Sequence, residues 1–145
     1  MDHMENMGND RKVITSRVDF GFLAAHDFLV PLEVELRYDT LDPFAVVAAF
    51  RPGREDCVEW AFGRDLLADG LIGDAGEGDI RIRPSDSDVE MVVVELLSPS
   101  GQAVFEAPAE DLAEFLDETY EIVMPGNEHL WVDIDAELTR LTSMS

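Results

Sequence analysis

Positive charge is scarce in this sequence. Ten lysines and arginines stand against 32 acidic residues, a formal net charge of -22, and Lys12 is the only lysine. Nucleic-acid binding draws on clustered cations that displace counterions from phosphates. Arg81 and Arg83, with Arg37 or Arg51, are the best candidates for such a cluster, but acids outvote them, and nucleic acid is a disfavoured ligand. A field of this sign instead keeps the chain in solution, and an acidic face attracts a basic patch on a protein partner.

Cysteine and histidine are nearly absent. Cys57 stands alone, which excludes an intramolecular disulfide and suits a reducing cytosol. Its acidic neighbours Asp56 and Glu59 would raise rather than lower a thiol pKa, so it reads as a packing residue within a strand-like run, not a nucleophile. His3, His26 and His129 are scattered, with no spacing that would converge on zinc. Long apolar runs are missing as well: none approaches the roughly 20 residues that span a bilayer, and Met1–Asp10 has no apolar h-region of a signal peptide. The expectation is a soluble, cytoplasmic protein without a transmembrane segment.

At 145 residues and 46% hydrophobic, the chain has the size and apolar content of one domain with a substantial core. Residues 1–11 lack periodicity and read as a disordered lead-in, leaving 12–145 as the domain. Alternation of period two marks the first strand, with Val18, Phe20, Phe22 and Ala24 on one side. Pro31 is expected to break the ladder before Leu32–Tyr38 resumes it. After the turn Asp39–Pro43 comes Phe44–Phe50, apolar throughout and therefore read as buried on both faces, either mid-sheet or at a subunit contact. Val58, Trp60 and Phe62 form the dry side of a fourth strand. A short helix over about Arg64–Asp69 is expected to end at Gly70 in the left-handed conformation, with Leu67 and Leu71 on one face.

Gly76 and Gly78 then turn the chain into a strand on which Ile80 and Ile82 alternate with Arg81 and Arg83. Met91–Leu97 and Ala103–Ala107 are further strands joined by the turn Ser98-Pro99-Ser100-Gly101. Pro108 opens a helix with Glu110 and Asp111 at the positive end of its dipole and Leu112, Phe115, Leu116 and Thr119 as the buried stripe. Pro125-Gly126-Asn127 stops it, and a last helix from Asp133 or Asp135 carries Ile134, Leu138 and Leu141. Four strands, a helix, three or four strands and one or two helices, joined by short turns, predict an α+β fold with antiparallel pairing.

The acids and glycines fail as catalytic or binding motifs. Asp86-Ser87-Asp88-Val89-Glu90 opens like a calcium loop, but Met91 stands where its glycine belongs and Leu97 where its bidentate glutamate belongs. Gly76-Glu77-Gly78-Asp79 opens a strand rather than a helix, and its acids would repel phosphate. Ser100 lies in a turn, outside any Gly-x-Ser-x-Gly elbow. Catalytic, metal and cofactor residues are therefore expected to be none, and the sequence singles out no partner-binding residue.

In order and spacing, several segments resemble the SsgA-like family of sporulation and cell-division regulators of mycelial actinobacteria. They are Pro31–Asp39 with Asp42–Val46, then Trp60–Leu71, Gly78–Arg81, Ser98–Gly101, Phe115-Leu116, Thr119, Pro125–Glu128 and Asp135–Leu138. The resemblance implies a non-catalytic adaptor of sporulation-specific division, acting in septum-site selection and in recruitment or assembly of the tubulin-like protein FtsZ. It implies FtsZ or family paralogues as partners, a place at the septum, a fold similar to whirly-type β domains, and packing as a homotrimer, for which the Phe44–Phe50 strand and Val47 are the expected contact. The alternative on the same fold is a single-stranded nucleic-acid-binding module, which the acidic surface disfavours.

Overall fold

The computed structural model describes residues 11–24 and 28–132. Eight strands form one antiparallel sheet: β1 (Val13–Ala24), β2 (Phe28–Asp39), β3 (Ala45–Phe50), β4 (Val58–Gly63), β5 (Ala75–Glu77), β6 (Ile80–Pro84), β7 (Met91–Ser98) and β8 (Gly101–Pro108). Helix α1 (Arg64–Gly70) links β4 to β5, α2 (Ala109–Ile122) follows β8, and a 3-10 turn covers Glu128–Trp131. The order across the sheet is β4-β3-β2-β1-β8-β7-β6-β5. Two meanders are joined where β1 meets β8, at Gly21↔Glu106 and Phe22↔Phe105. The sheet is nearly closed and barrel-like, and α1 bridges between its edge strands. The predicted α+β class and antiparallel pairing stand.

The pairings follow from the alternation in the sequence. Val18 faces Val34 across β1–β2, and both are buried, as are Leu36 and Tyr38 further along β2. The inner faces of both meanders share one core with Leu112, Phe115 and Leu116 of α2. Each fully buried aliphatic side chain contributes about 1.5–3 kcal/mol relative to exposure. Phe20, Phe50 and Phe105 stack at its centre, with Phe50 and Phe105 centroids 4.9 Å apart and Phe20 edge-on to Phe50 at 5.9 Å.

Several expectations change. Pro31 does not break β2: it pairs with Gly21 inside a continuous strand, where β3 has already ended its pairing at Val34↔Phe50. A proline is tolerated where only one neighbouring strand needs a ladder. Phe44 lies outside β3 and is exposed, whereas Val46, Ala48, Ala49 and Phe50 are buried. The dry side of β4 is only half dry, because it is the sheet's edge: Val58 is 48% exposed, and Trp60 and Phe62 are partly buried. Cys57 sits half-buried just before that strand rather than within it. Ala75–Glu77 forms an additional short strand, and Gly78, at φ 60, turns it into β6.

Gly70 is needed for a reason other than the predicted one. It is the last residue of α1, and the following Leu71 is right-handed at φ -74. A Cβ on Gly70 would lie 2.3 Å from Ile82 Cγ2, so the glycine is what lets α1 close onto β6. The stripe on α2 is as predicted, with Leu112, Phe115, Leu116 and Thr119 buried. The last helix predicted from Asp133 or Asp135 lies outside the described residues.

Candidate functional site

Two features stand out once the sheet is rolled. The first is an apolar groove of about 440 Å³. The β1–β2 hairpin supplies Phe22, Val30 and Leu32 to it, the β3–β4 end supplies Arg51 and Trp60, and the β7–β8 hairpin forms the facing wall. Its floor is aromatic, with Phe22 and Phe105 centroids 5.3 Å apart. Beside it the hairpin tip leaves Phe28 72% exposed and Val30 46% exposed. The polar groups of the facing wall are occupied with one another: Ser98 and Ser100 hydroxyls lie 3.0 Å apart, and Gln102 donates to Glu95 at 3.4 Å. Arg51, the charged residue of the lining, is held in the left-handed region at φ 58 and pairs with Asp56 at 3.1 Å.

The second feature is buried. Arg64, at the start of α1, is fully enclosed between the rings of Tyr38 and Tyr120, each 4.9 Å from its guanidinium carbon. It donates to the carbonyl of Val123 at 2.7 Å and to Glu128 Oε2 at 2.8 Å, with longer bonds of 3.4 Å to the carbonyl and hydroxyl of Thr119. Helix α2 has no basic residue in its last turn. Arg64 supplies from another element the cation and donors that the negative end of that helix wants. Glu128 completes the tie by accepting from the Gly126 N–H at 3.0 Å.

Burial alone would push the Glu128 carboxyl up, but the hydrogen bond and charge of Arg64, together with backbone donors, outweigh it and hold the group below the usual carboxylate range. Burial pushes the Tyr38 hydroxyl up to about 12, with Arg64 opposing; that hydroxyl donates to the Pro43 carbonyl at 2.8 Å. This charge pair held between two rings, with only the Arg64 Nε left without a hydrogen-bond partner, forms an anchor for the chain that follows α2.

The sequence named no catalytic, metal or cofactor residue. Among the described residues no three His, Cys, Asp or Glu side chains converge as metal ligands. Asp86–Glu90 is an exposed hairpin loop, as read, and Ser100 is a turn serine. His129 lies in the 3-10 turn, and His3 and His26 fall outside the described residues. Sequence reasoning missed Arg64 as a buried group. Its partner is 64 residues away, which no local pattern shows. The available signal was that Trp60–Leu71 and Pro125–Glu128 both fall in segments shared with the family resemblance.

The arginines settle the electrostatics of the surface. Each described arginine is paired with an acid of the same chain: Arg11 with Asp39, Arg17 with Glu33, Arg37 with Glu59, Arg51 and Arg54 with Asp56, Arg64 with Glu128, Arg81 with Asp74 and Arg83 with Glu95. Phosphate recognition through these arginines would have to compete with those pairs. No helix among the described residues is long and apolar enough to cross a membrane.

An antiparallel sheet rolled nearly closed, with an apolar groove at its rim and a buried ion-pair anchor, defines a β-rich α+β domain. Residues 32–128 match the family described as Streptomyces sporulation and cell division protein, SsgA. The chain is 62% identical over 135 residues to the sporulation-specific cell division protein SsgB of Saccharopolyspora erythraea, covering 93% of this chain and 96% of that one. It is 49% identical over 117 residues to the SsgB of Streptomyces coelicolor, covering 80% and 85%. The crystal structure of an SsgA-like sporulation-specific cell division protein from Thermobifida fusca superimposes with a TM-score of 0.80 at 45% identity, covering 89% and 95% of the two chains. The chain belongs to the SsgA-like family, which is a family of sporulation and cell-division proteins and not an enzyme family.

Proposed function

We propose that this chain is a non-catalytic adaptor of sporulation-specific cell division that acts in septum-site selection and in the recruitment or assembly of FtsZ. The observation that carries the reading is the apolar groove beside an exposed hairpin tip, on a molecule whose described arginines are all engaged internally. An adaptor needs a docking face rather than reacting groups. Its family membership, and relatives called sporulation-specific cell division proteins, supply the process. In this reading the protein is cytoplasmic, gathers at the septum during sporulation, and binds FtsZ or a family paralogue.

A homotrimer is the proposed working unit, with the outer face of β3 as the contact, where Val47 is half-buried opposite Arg37 and Ala61. Retention of FtsZ on the immobilised chain at several salt concentrations tests the adaptor role. FtsZ or a paralogue is expected to be retained, and less so by Val30→Asn. No retention of either, combined with salt-sensitive binding of oligonucleotides, would sink it. Val47→Glu is expected to reduce the sedimenting mass with the fold intact; an unchanged mass places the contact elsewhere.

A further inference from the structure

We propose that the groove takes an extended apolar peptide segment flanked by lysine or arginine, added as a strand to the free edge of β2 at Phe28–Leu32. The inference deepens the adaptor reading and rests on the groove being its docking face. Strand β2 is 12 residues long, but β3 pairs only with its Val34–Arg37 portion. The last backbone bond on that side runs from the Arg51 N–H to the Glu33 carbonyl at 3.0 Å, after which the left-handed Arg51 turns the chain away. From Phe28 to Leu32, therefore, β2 has β1 on one side and no strand among the described residues on the other.

Soluble proteins ordinarily blunt such an edge with charge or proline, or keep it short, and Pro31 is the one such device on this stretch. Phe28-Leu29-Val30-Pro31-Leu32 carries no charged residue, and Phe28, Leu29 and Val30 are exposed. Pro31 offers no N–H, and because Glu33 faces the β3 side, the groups that reach the free edge are the N–H and carbonyl of Leu29 and the carbonyl of Pro31. A strand laid along it would continue the line of β3, and every second side chain would enter the groove between Val30 and Leu32 on one wall and Ala103 and Phe105 on the other.

Charge selects the occupant. The net charge of -22 favours an occupant of opposite sign. Among the described residues Glu55, at the β3–β4 turn next to the groove's Arg51–Asp56 pair, has no basic partner. A basic flank is steered to this rim.

The test uses the full chain and a fluorescent synthetic peptide of alternating valine and serine with lysines at both ends, against the same peptide ending in glutamates. By anisotropy the lysine peptide is expected to bind about tenfold or more tightly, with the advantage shrinking as salt rises. Amide hydrogen exchange within Phe28–Leu32 is expected to slow on binding, and Val30→Asn, an exposed change that leaves the core alone, is expected to abolish both effects. Equal or better binding of the glutamate peptide, binding without protection of those amides, or binding indifferent to Val30→Asn each overturns the proposal. So does a Val30→Asn variant that sediments at lower mass while native chain ignores the peptide, since the groove then belongs to a second copy. If the peptide behaves as expected but Val30→Asn still retains FtsZ fully, strand addition stands and the groove is not the FtsZ face.

Discussion

Gly70 is the position where a local rule and the tertiary structure point in opposite directions. Helix propensity favours alanine over glycine by about 1 kcal/mol, so Gly70→Ala would stabilise α1 in isolation. In the folded chain the new methyl would meet Ile82 Cγ2 at 2.3 Å and the Ile82 carbonyl at 3.0 Å. Overpacking of that kind costs about 1–3 kcal/mol, and the clash wins. Gly70→Ala is expected to lower the urea midpoint without changing its slope. A raised midpoint would show that α1 can lift off β6 at little cost. The glycine was legible in the sequence as special, but its reason was not, because Ile82 is brought to it only by the pairing of β5, β6 and β7.

At the same scale, Arg64 and Glu128 set a pH dependence whose sign is fixed. The Glu128 carboxyl titrates lower in the folded chain than in the unfolded one, so the unfolded state takes up its proton first. The stability this contributes is complete at neutral pH and is lost as pH falls below about 5 through the folded value. Asp39 adds the same sign, chiefly through its hydrogen bond from Arg11. In alkali the direction reverses: Tyr38 keeps its proton to about 12 when folded against 10.0 when unfolded, so stability falls as pH climbs through that window. Glu128→Gln leaves Arg64 buried without its counter-charge and is expected to cost about 3 kcal/mol at neutral pH. The variant's unfolding midpoint should also decline less steeply in acid than the native chain's; parallel acid limbs would show that Glu128 is not the titrating group.

At the scale of elements, the turns were the most readable part. Ser98↔Gly101 closes β7–β8 around Pro99-Ser100, with Gly101 at φ 141, and Gly78 closes β5–β6. The α2 stripe was readable for the same reason, since periodicity is a local property that burial then enforces. What was not readable is how elements tie together over distance. The turn after α2 shows both sides. Pro125-Gly126-Asn127 marks a stop, but only the structure shows that Gly126, at φ 91, presents its N–H to Glu128. Gly126→Ala forces a Cβ into a left-handed backbone at a cost of about 1–2 kcal/mol and would loosen Glu128 from Arg64. It is expected to speed hydrogen exchange at the C-terminal end of α2 more than in β1 or β2. Uniform acceleration across the sheet would mean that the anchor and the barrel open as one unit.

For the whole molecule, class and charge were legible in composition and alternation, and the order of segments carried the family. The groove stayed hidden because its walls come from hairpins at opposite ends of the chain, the tip of β1–β2 and the tip of β7–β8, brought together by the β1–β8 junction at Phe22↔Phe105. Charge acts at this scale too. Surface ion pairs contribute little each, with a median near 0–1 kcal/mol, and salt weakens them. Repulsion among the remaining acids is also screened by salt, within a Debye length of about 10 Å at 0.1 M. With 32 acids against 10 bases, most acids have no cation to pair with, and α2 alone carries Glu110, Asp111, Glu114, Asp117, Glu118 and Glu121 without a basic residue. Repulsion therefore outweighs the pairs, and adding sodium chloride at neutral pH is expected to raise the thermal midpoint. A falling midpoint would mean that the surface arginine pairs carry more of the stability than their exposure allows. Because the chain's own field opposes compaction, the same salt that stabilises it should weaken its hold on a basic partner, so stability and binding are expected to move in opposite directions along one titration.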